Sequence, residues 1–146
     1  MKKILFLIAL VVGSIQLAMA DDVVTRDVNQ LPLAARELID KQFSHRKVDF
    51  IKIERDLFEE TTYEVKLDDG TELEFNSKGG WVEINAKADD VPSEFIPEAI
   101  QEYMKEHYKG EKIVKIERDR RGYELTLENG LEVDFDKFGK FLKLSN

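Results

Sequence analysis

The chain is expected to be an α+β protein built from two tandem repeats, each a helix packed on a four-stranded antiparallel meander. Three observations carry that expectation. First, Val48 to Ile84 is written again, with edits, from Lys112 to Leu144: "IKIERD" at Ile51 to Asp56 returns as "VKIERD" at Val114 to Asp119, and "YEVKLDDG" at Tyr63 to Gly70 returns as "YELTLENG" at Tyr123 to Gly130. Self-similarity of that length marks two copies of one supersecondary unit. Second, each copy opens with a stretch of helical periodicity behind a proline. Third, the period then changes to two, broken by Asp-Gly, Gly-Gly and Asn-Gly turns.

The elements follow in order. Met1 to Ala20 has the form of a cleaved signal peptide: Lys2 and Lys3, an apolar run from Ile4 to Val12, and Ala18-Met19-Ala20 as a small-x-small cleavage site. The mature chain should then begin at Asp21 and be periplasmic or secreted, with no membrane insertion after cleavage. Residues 21–85 form the first repeat, 86–90 the linker and 91–146 the second repeat. In the first, Leu31-Pro32 precedes a helix over Leu33 to Phe43 with Leu33, Ala34, Leu38, Ile39 and Phe43 as its apolar stripe. In the second, Ile96-Pro97 stands in the same place and Ile100, Tyr103, Met104, His107 and Tyr108 carry the stripe. The strands of the first copy are Phe50 to Arg55, Thr62 to Asp68, Thr71 to Asn76 and Trp81 to Asn85. Asp69-Gly70 and Asn129-Gly130 supply the strongest hairpin signals.

Alternation divides each strand between two faces. Ile51, Ile53, Tyr63, Val65, Leu67, Leu73, Phe75, Val82 and Ile84 share the parity expected to face the first helix. Val114, Ile116, Tyr123, Leu125, Leu127, Val133, Phe135, Leu142 and Leu144 do so in the second copy. Helices can cover only one side of such a sheet, so the opposite parity should be open and polar. It carries Glu54, Glu72, Glu74, Glu83, Glu132 and Asp134, together with four apolar exceptions: Phe50, Trp81, Ile113 and Phe141. An aromatic repeated at one outward position suggests either packing between two sheets or a recognition surface.

Charge narrows the partners. Without the signal the chain has 20 basic and 30 acidic residues, a net charge of −10. Nucleic acid is thereby disfavoured, because phosphate binding needs a clustered basic surface. Another protein or a cationic peptide in the cell envelope is electrostatically favoured. With no cysteine and only His45 and His107, separated in the chain, no nucleophile–base pair or zinc motif is available. No catalytic residue, metal ligand or cofactor is assigned. Asp68-Asp69 and Glu128-Asn129 lack the alternating ligand spacing of a calcium loop and belong to turns.

The proline-started helix, "IKIERD", "YEVKLDDG" and "LEFNSKGGW", duplicated behind a signal segment, resemble the beta-lactamase-inhibitor-like, PepSY-like family of exported proteins from Gram-negative bacteria. The resemblance implies modules related in shape to a beta-lactamase inhibitor protein and to PepSY domains, which are associated with restraining peptidases. It brings no binding or catalytic residues with it, and this chain has no cysteines to staple inhibitory loops. The expectation is a non-enzymatic binding module, an inhibitor or regulator of an envelope enzyme. Phe50, Trp81, Ile113, Phe141, Glu72, Glu74, Glu83, Glu132 and Asp134 form its candidate surface. The alternative is a protein that binds a small ligand or cation through Glu54, Glu72, Glu74, Glu83 and their repeats.

Overall fold

The computed structural model describes residues 22–145; the expected signal segment, Met1 to Ala20, lies outside them. Nine strands form one antiparallel sheet whose spatial order is the order of the chain. They are β1 (Val23–Thr25), β2 (Val48–Glu54), β3 (Thr62–Leu67), β4 (Glu72–Phe75), β5 (Trp81–Asn85), β6 (Ile113–Arg118), β7 (Gly122–Leu127), β8 (Glu132–Asp136) and β9 (Phe141–Ser145). Two ten-residue helices, α1 (Leu33–Gln42) and α2 (Glu98–His107), interrupt the run. The expected α+β pair of repeats, each a helix on a four-stranded meander, is therefore corrected. The protein is mostly β, and its sheet does not stop between the sequence copies: β5 pairs with β6 through Glu83↔Glu117, Ile84↔Ile116 and Asn85↔Lys115. Joining the two runs removes two sheet edges, whose unpaired donors and acceptors would otherwise need cover.

Both helices start directly after a proline, Pro32 and Pro97, where the missing N–H would have no intrahelical partner. The stripe that α1 buries is the expected one only in part: Ile39 and Phe43 are buried and Leu38 packs against the core, as expected. Leu31, Ala35, Ile39 and Phe43 are buried at four-residue steps, whereas Leu33 is 62% exposed and Ala34 is also outside. In α2, Ile100 and Met104 are buried as expected, while His107 is exposed and stacks on Tyr103 at 4.1 Å between ring centroids.

One core joins the helices to the sheet. Phe75, Phe135, Ile51, Ile53, Leu67, Leu73, Ile84, Ile116, Leu125 and Leu127 are at most 1% exposed. Phe43 stacks on Phe95 at 5.9 Å, which ties the end of α1 to the short turn of helix before α2. Glycine sets how closely the helices approach. Gly79, with φ +85°, sits where an added Cβ would lie 2.9 Å from Pro32 Cβ and 3.0 Å from the Ala35 nitrogen. Gly139 occupies the corresponding turn, 3.0 Å from Ala99 Cβ by the same measure.

Candidate functional site

Two β-bulges change the reading of the open face. Glu74 pairs with Glu83, but the next pair is Phe75↔Trp81, so Val82 is the extra residue in β5. Likewise Asp134 pairs with Lys143 and Phe135 with Phe141, leaving Leu142 as the extra residue in β9. A bulge puts two residues opposite one and turns the next side chain to the other face. Trp81 and Phe141 are thereby corrected from the open face to the helix face. Trp81 is 8% exposed and meets Phe95 edge-on at 5.6 Å. Phe141 stacks on Tyr103 at 5.1 Å. The converse also holds: Val82 is only half-buried and Leu142 is 57% exposed, not core as expected, while Leu144 keeps its pairing with buried Val133 but is 47% exposed because β9 is the edge strand. Ile113 is corrected too, since an irregularity between Ile113 and Lys115 sets it opposite Leu127 and against the core. Of the four apolar exceptions only Phe50 remains on the open face, with the Lys66 ammonium 5.9 Å from its ring centroid.

What the open face does carry is a row of carboxylates running across the strands. The register reads Lys52↔Glu64↔Glu74↔Glu83↔Glu117↔Glu124↔Asp134↔Lys143, one residue from each strand from β2 to β9. Six acids thus stand side by side on β3 to β8, closed by a lysine at each end. At about 4.8 Å per strand the acidic stretch is about 24 Å long. Beside it runs a second row, Phe50↔Lys66↔Glu72↔Asn85↔Lys115↔Thr126↔Glu132↔Ser145. Glu72, Glu74, Glu83, Glu132 and Asp134 from the sequence reading fall in these two rows. Glu64, Glu117, Glu124, Lys52, Lys115 and Lys143 also lie in them; alternation assigns them to the same polar face, though none is among the candidate site residues. Their signal lay in the repeat itself, since Glu64 and Glu124 are equivalent in the two copies, as are Glu54 and Glu117.

Like charges directly opposite one another destabilise a sheet, and the row relieves that strain with protons and lysines. Glu64, Glu74, Glu83 and Asp134 are less than a tenth exposed although no helix covers them, each hemmed in by long side chains on both neighbouring strands. Burial, reinforced by neighbouring carboxylates, raises Glu64 and Glu74 to about 7. Burial and the hydrogen bond to Glu117 raise Glu83 to about 8 and Glu124 to about 7. Burial works against ionisation of Glu117 as well, but the hydrogen bonds with Glu83 and Glu124 and the Lys115 ammonium 3.3 Å away hold it below the usual range. A carboxylate is therefore flanked by two acids that keep their protons to neutral pH. At the ends, Lys52 bonds Glu54 and the Lys143 ammonium lies 3.6 Å from Asp134 Oδ2. Asp134 Oδ1 is buried with no hydrogen-bond partner among the described residues. Lys87 meets Glu72 at 2.9 Å.

The arrangement has no point of convergence: among the described residues no three carboxylates or histidines meet as metal ligands would. It is a linear acidic strip on a mostly β module. The family model described as beta-lactamase-inhibitor-like, PepSY-like matches residues 21–70 and again 61–143, and the chain belongs to that family. The double match agrees with the internal duplication. Solved structures extend the comparison. One, described as a "putative periplasmic protein of unknown function" from Bacteroides vulgatus, is 70% identical with a TM-score of 0.84, over 86% of this chain and 100% of that one. A second, a "putative calcium-regulated periplasmic protein" from Bacteroides thetaiotaomicron, is 36% identical with a TM-score of 0.79, over 87% and 97% of the two chains. A third, another B. vulgatus protein described as periplasmic, is 38% identical with a TM-score of 0.78 over the same shares. No curated protein matches the chain. The chain is thus a periplasmic member of its family, and among the described residues no helix is long and apolar enough to cross a membrane.

Proposed function

We propose that the protein is a non-enzymatic binding module of the cell envelope whose open sheet face takes up a basic segment of another protein or a cationic peptide. The row of six cross-strand carboxylates carries this reading. A solvated polar face disperses its charges with both signs interleaved, whereas here one sign is lined up over about 24 Å and desolvated. Ammonium or guanidinium groups laid along the row would replace its protons as counter-charge, and they would form charge-assisted hydrogen bonds with Glu64, Glu74, Glu83 and Glu124, which have no ion pair among the described residues. Trp81 and Phe141 are excluded as anchors by their position, so affinity would rest on the acids and on Phe50 at one end.

The test uses a fluorescent peptide of alternating lysine and alanine on the mature chain. Binding is expected to weaken at least tenfold in Glu64→Gln, Glu117→Gln, Asp134→Asn combined. It should also weaken as salt rises from about 50 to 500 mM, because partly exposed charge pairs are screened. Raising pH from about 6 to 8.5 should tighten it, since Glu64, Glu74, Glu83 and Glu124 lose their protons in that window. Binding that ignores salt, pH and the triple substitution would remove the acidic row as the site.

A second reading is uptake of a small cation, favoured by the description of the B. thetaiotaomicron relative as "calcium-regulated". Calcium alone, titrated calorimetrically against the mature chain and the same triple variant, separates it from the first.

A further inference from the structure

The internal duplication gives the molecule its own control, and the comparison exposes a difference away from the acidic row. Each helix leaves a cleft of about 490 Å³ between its outer side and the chain segments before and after it. That volume lies within the range of small-molecule sites, about 300–1,000 Å³. The two clefts are built alike. Arg36 N–H donates to the Pro32 carbonyl at 3.1 Å, as Gln101 N–H does to Pro97 at 3.0 Å. Arg46 N–H donates to the Phe43 carbonyl at 2.9 Å, as Glu111 N–H does to Tyr108 at 3.1 Å.

Their chemistry differs. The cleft beside α2 is lined by Lys105 and Lys109 against Asp90 and Glu111, so its charges balance. Gln101 has both amide donors used there, its Nε2 donating to the carbonyls of Ser93 at 3.0 Å and Ile96 at 2.7 Å. The cleft beside α1 is lined by Arg26, Arg36, Arg46 and Lys47 against Glu37 and Asp40, a positive site on a strongly acidic protein. Arg46 and Arg26 have partners, Asp69 at 3.4 Å and Asp49 at 4.0 Å. Arg36 has only Asn29 Oδ1, 3.3 Å from its Nη1, and its Nε is buried with no hydrogen-bond partner among the described residues. Burying a guanidinium N–H without an acceptor costs free energy that a bound acceptor would return. Apolar side chains complete the lining: Val28 and Leu33, 40% and 62% exposed, stand on the same cleft over Leu31 and Ile39.

We propose that the cleft beside α1 is a binding site for a small organic oxyanion, a carboxylate or phosphate carried on an apolar body, with Arg36 as its anchor. The planar guanidinium presents paired donors that match the oxygens of either group. Arg46 and Lys47 add positive field, and Val28 and Leu33 cover the apolar part. The site is independent of the acidic row, which lies on the opposite face of the sheet, and the cleft beside α2, with its glutamine donors satisfied internally, serves as the paired control.

The experiment is calorimetric titration of the mature protein with phenyl phosphate, hexanoate and inorganic phosphate. Saturable binding of at least one organic probe is expected, with inorganic phosphate showing how much the charged group contributes alone. Arg36→Gln places in the first copy the residue the second copy already folds with. It should weaken binding at least tenfold while leaving the urea midpoint close to the parent's. Arg36→Lys should fall between, because it keeps charge without the fork. Gln101→Ala should bind like the parent. Equal affinity in parent and Arg36→Gln, or no saturable binding of any probe at millimolar concentration, would overturn the assignment.

Discussion

Replacing Trp81 by alanine tests the bulge in β5 and with it the whole division of the sheet into two faces. In the register observed, the indole lies within the core, 8% exposed, edge-on to Phe95 at 5.6 Å. The Arg118 guanidinium lies 3.9 Å from its ring centroid on the other side, and Arg118 Nε donates to the Trp81 carbonyl at 2.7 Å. Truncating a buried Trp to Ala costs about 3–5 kcal/mol. The edge-on aromatic pair and the cation over the ring, each about 0.5–1.5 kcal/mol where partly desolvated, place the loss in the upper half of that range, about 4 kcal/mol. With a urea m-value of about 2 kcal/mol/M for a domain of this size, the midpoint should fall by about 2 M. The assay is urea unfolding followed by far-ultraviolet circular dichroism, since the fluorophore itself is removed. Phe75→Ala serves as the benchmark for a fully buried ring. A loss below about 1 kcal/mol for Trp81→Ala, with Phe75→Ala costing the expected 3–5, would put the indole back on the open face and refute the register argument.

The remaining predictions concern charge and backbone. Glu64, Glu74, Glu83 and Glu124 bind protons more tightly in the fold than their ordinary value of 4.5, up to about 7 or 8. Stability from these groups is then fully present below pH 4.5 and is lost as pH rises through 7 to 8, the reverse of ordinary acid denaturation. The urea midpoint should accordingly be higher near pH 5.5 than near pH 9, and a midpoint that climbs steadily to pH 9 would contradict the protonated row. Glu83→Gln, which imitates the protonated acid, should flatten that dependence and leave stability near pH 9 at or above the parent's. Gly79→Ala should cost about 2–4 kcal/mol, because left-handed backbone alone costs about 1–2 and the new methyl meets Pro32 and Ala35. Gly70→Ala, equally left-handed but with open space around it, should cost only the backbone part, and equal losses at the two glycines would argue against close seating of α1.

Much of the strand content was legible because β2 to β9 obey a two-residue period punctuated by turn glycines with positive φ at Gly70, Gly79, Gly130 and Gly139. What alternation could not deliver was register past a bulge. Nothing in "GGWVEIN" announces that Val82 is the extra residue, and a single insertion inverts every side chain beyond it, so Trp81 and Phe141 were read on the wrong face. The short β1 was missed because three residues next to the expected cleavage site give too short a pattern. Joining of the two copies also left no local trace, since it depends on β5 meeting β6 across residues 86–112. The acidic row was therefore visible only in pieces. Glu72, Glu74, Glu83, Glu132 and Asp134 were evident as polar-face acids, but their alignment with Glu64, Glu117 and Glu124 needs the three-dimensional register of six strands.

The strictly sequential strand order has a consequence for how the chain reaches its fold. Every strand finds its partner among its immediate neighbours in the chain, so most pairings close through loops of a few residues, and low contact order favours rapid, zipper-like growth from either copy. Two closures are longer: β1 onto β2 across α1, and β5 onto β6 across residues 86–112 with α2 inside. The second has just three register pairs to secure it, and one of those sets Glu83 against Glu117. Docking of the two halves is thus the step with the longest loop to close, for a backbone reward of three register pairs, no larger than that of β1 on β2. Its rate, unlike that of hairpin formation within either half, should depend on whether a proton is present at the seam.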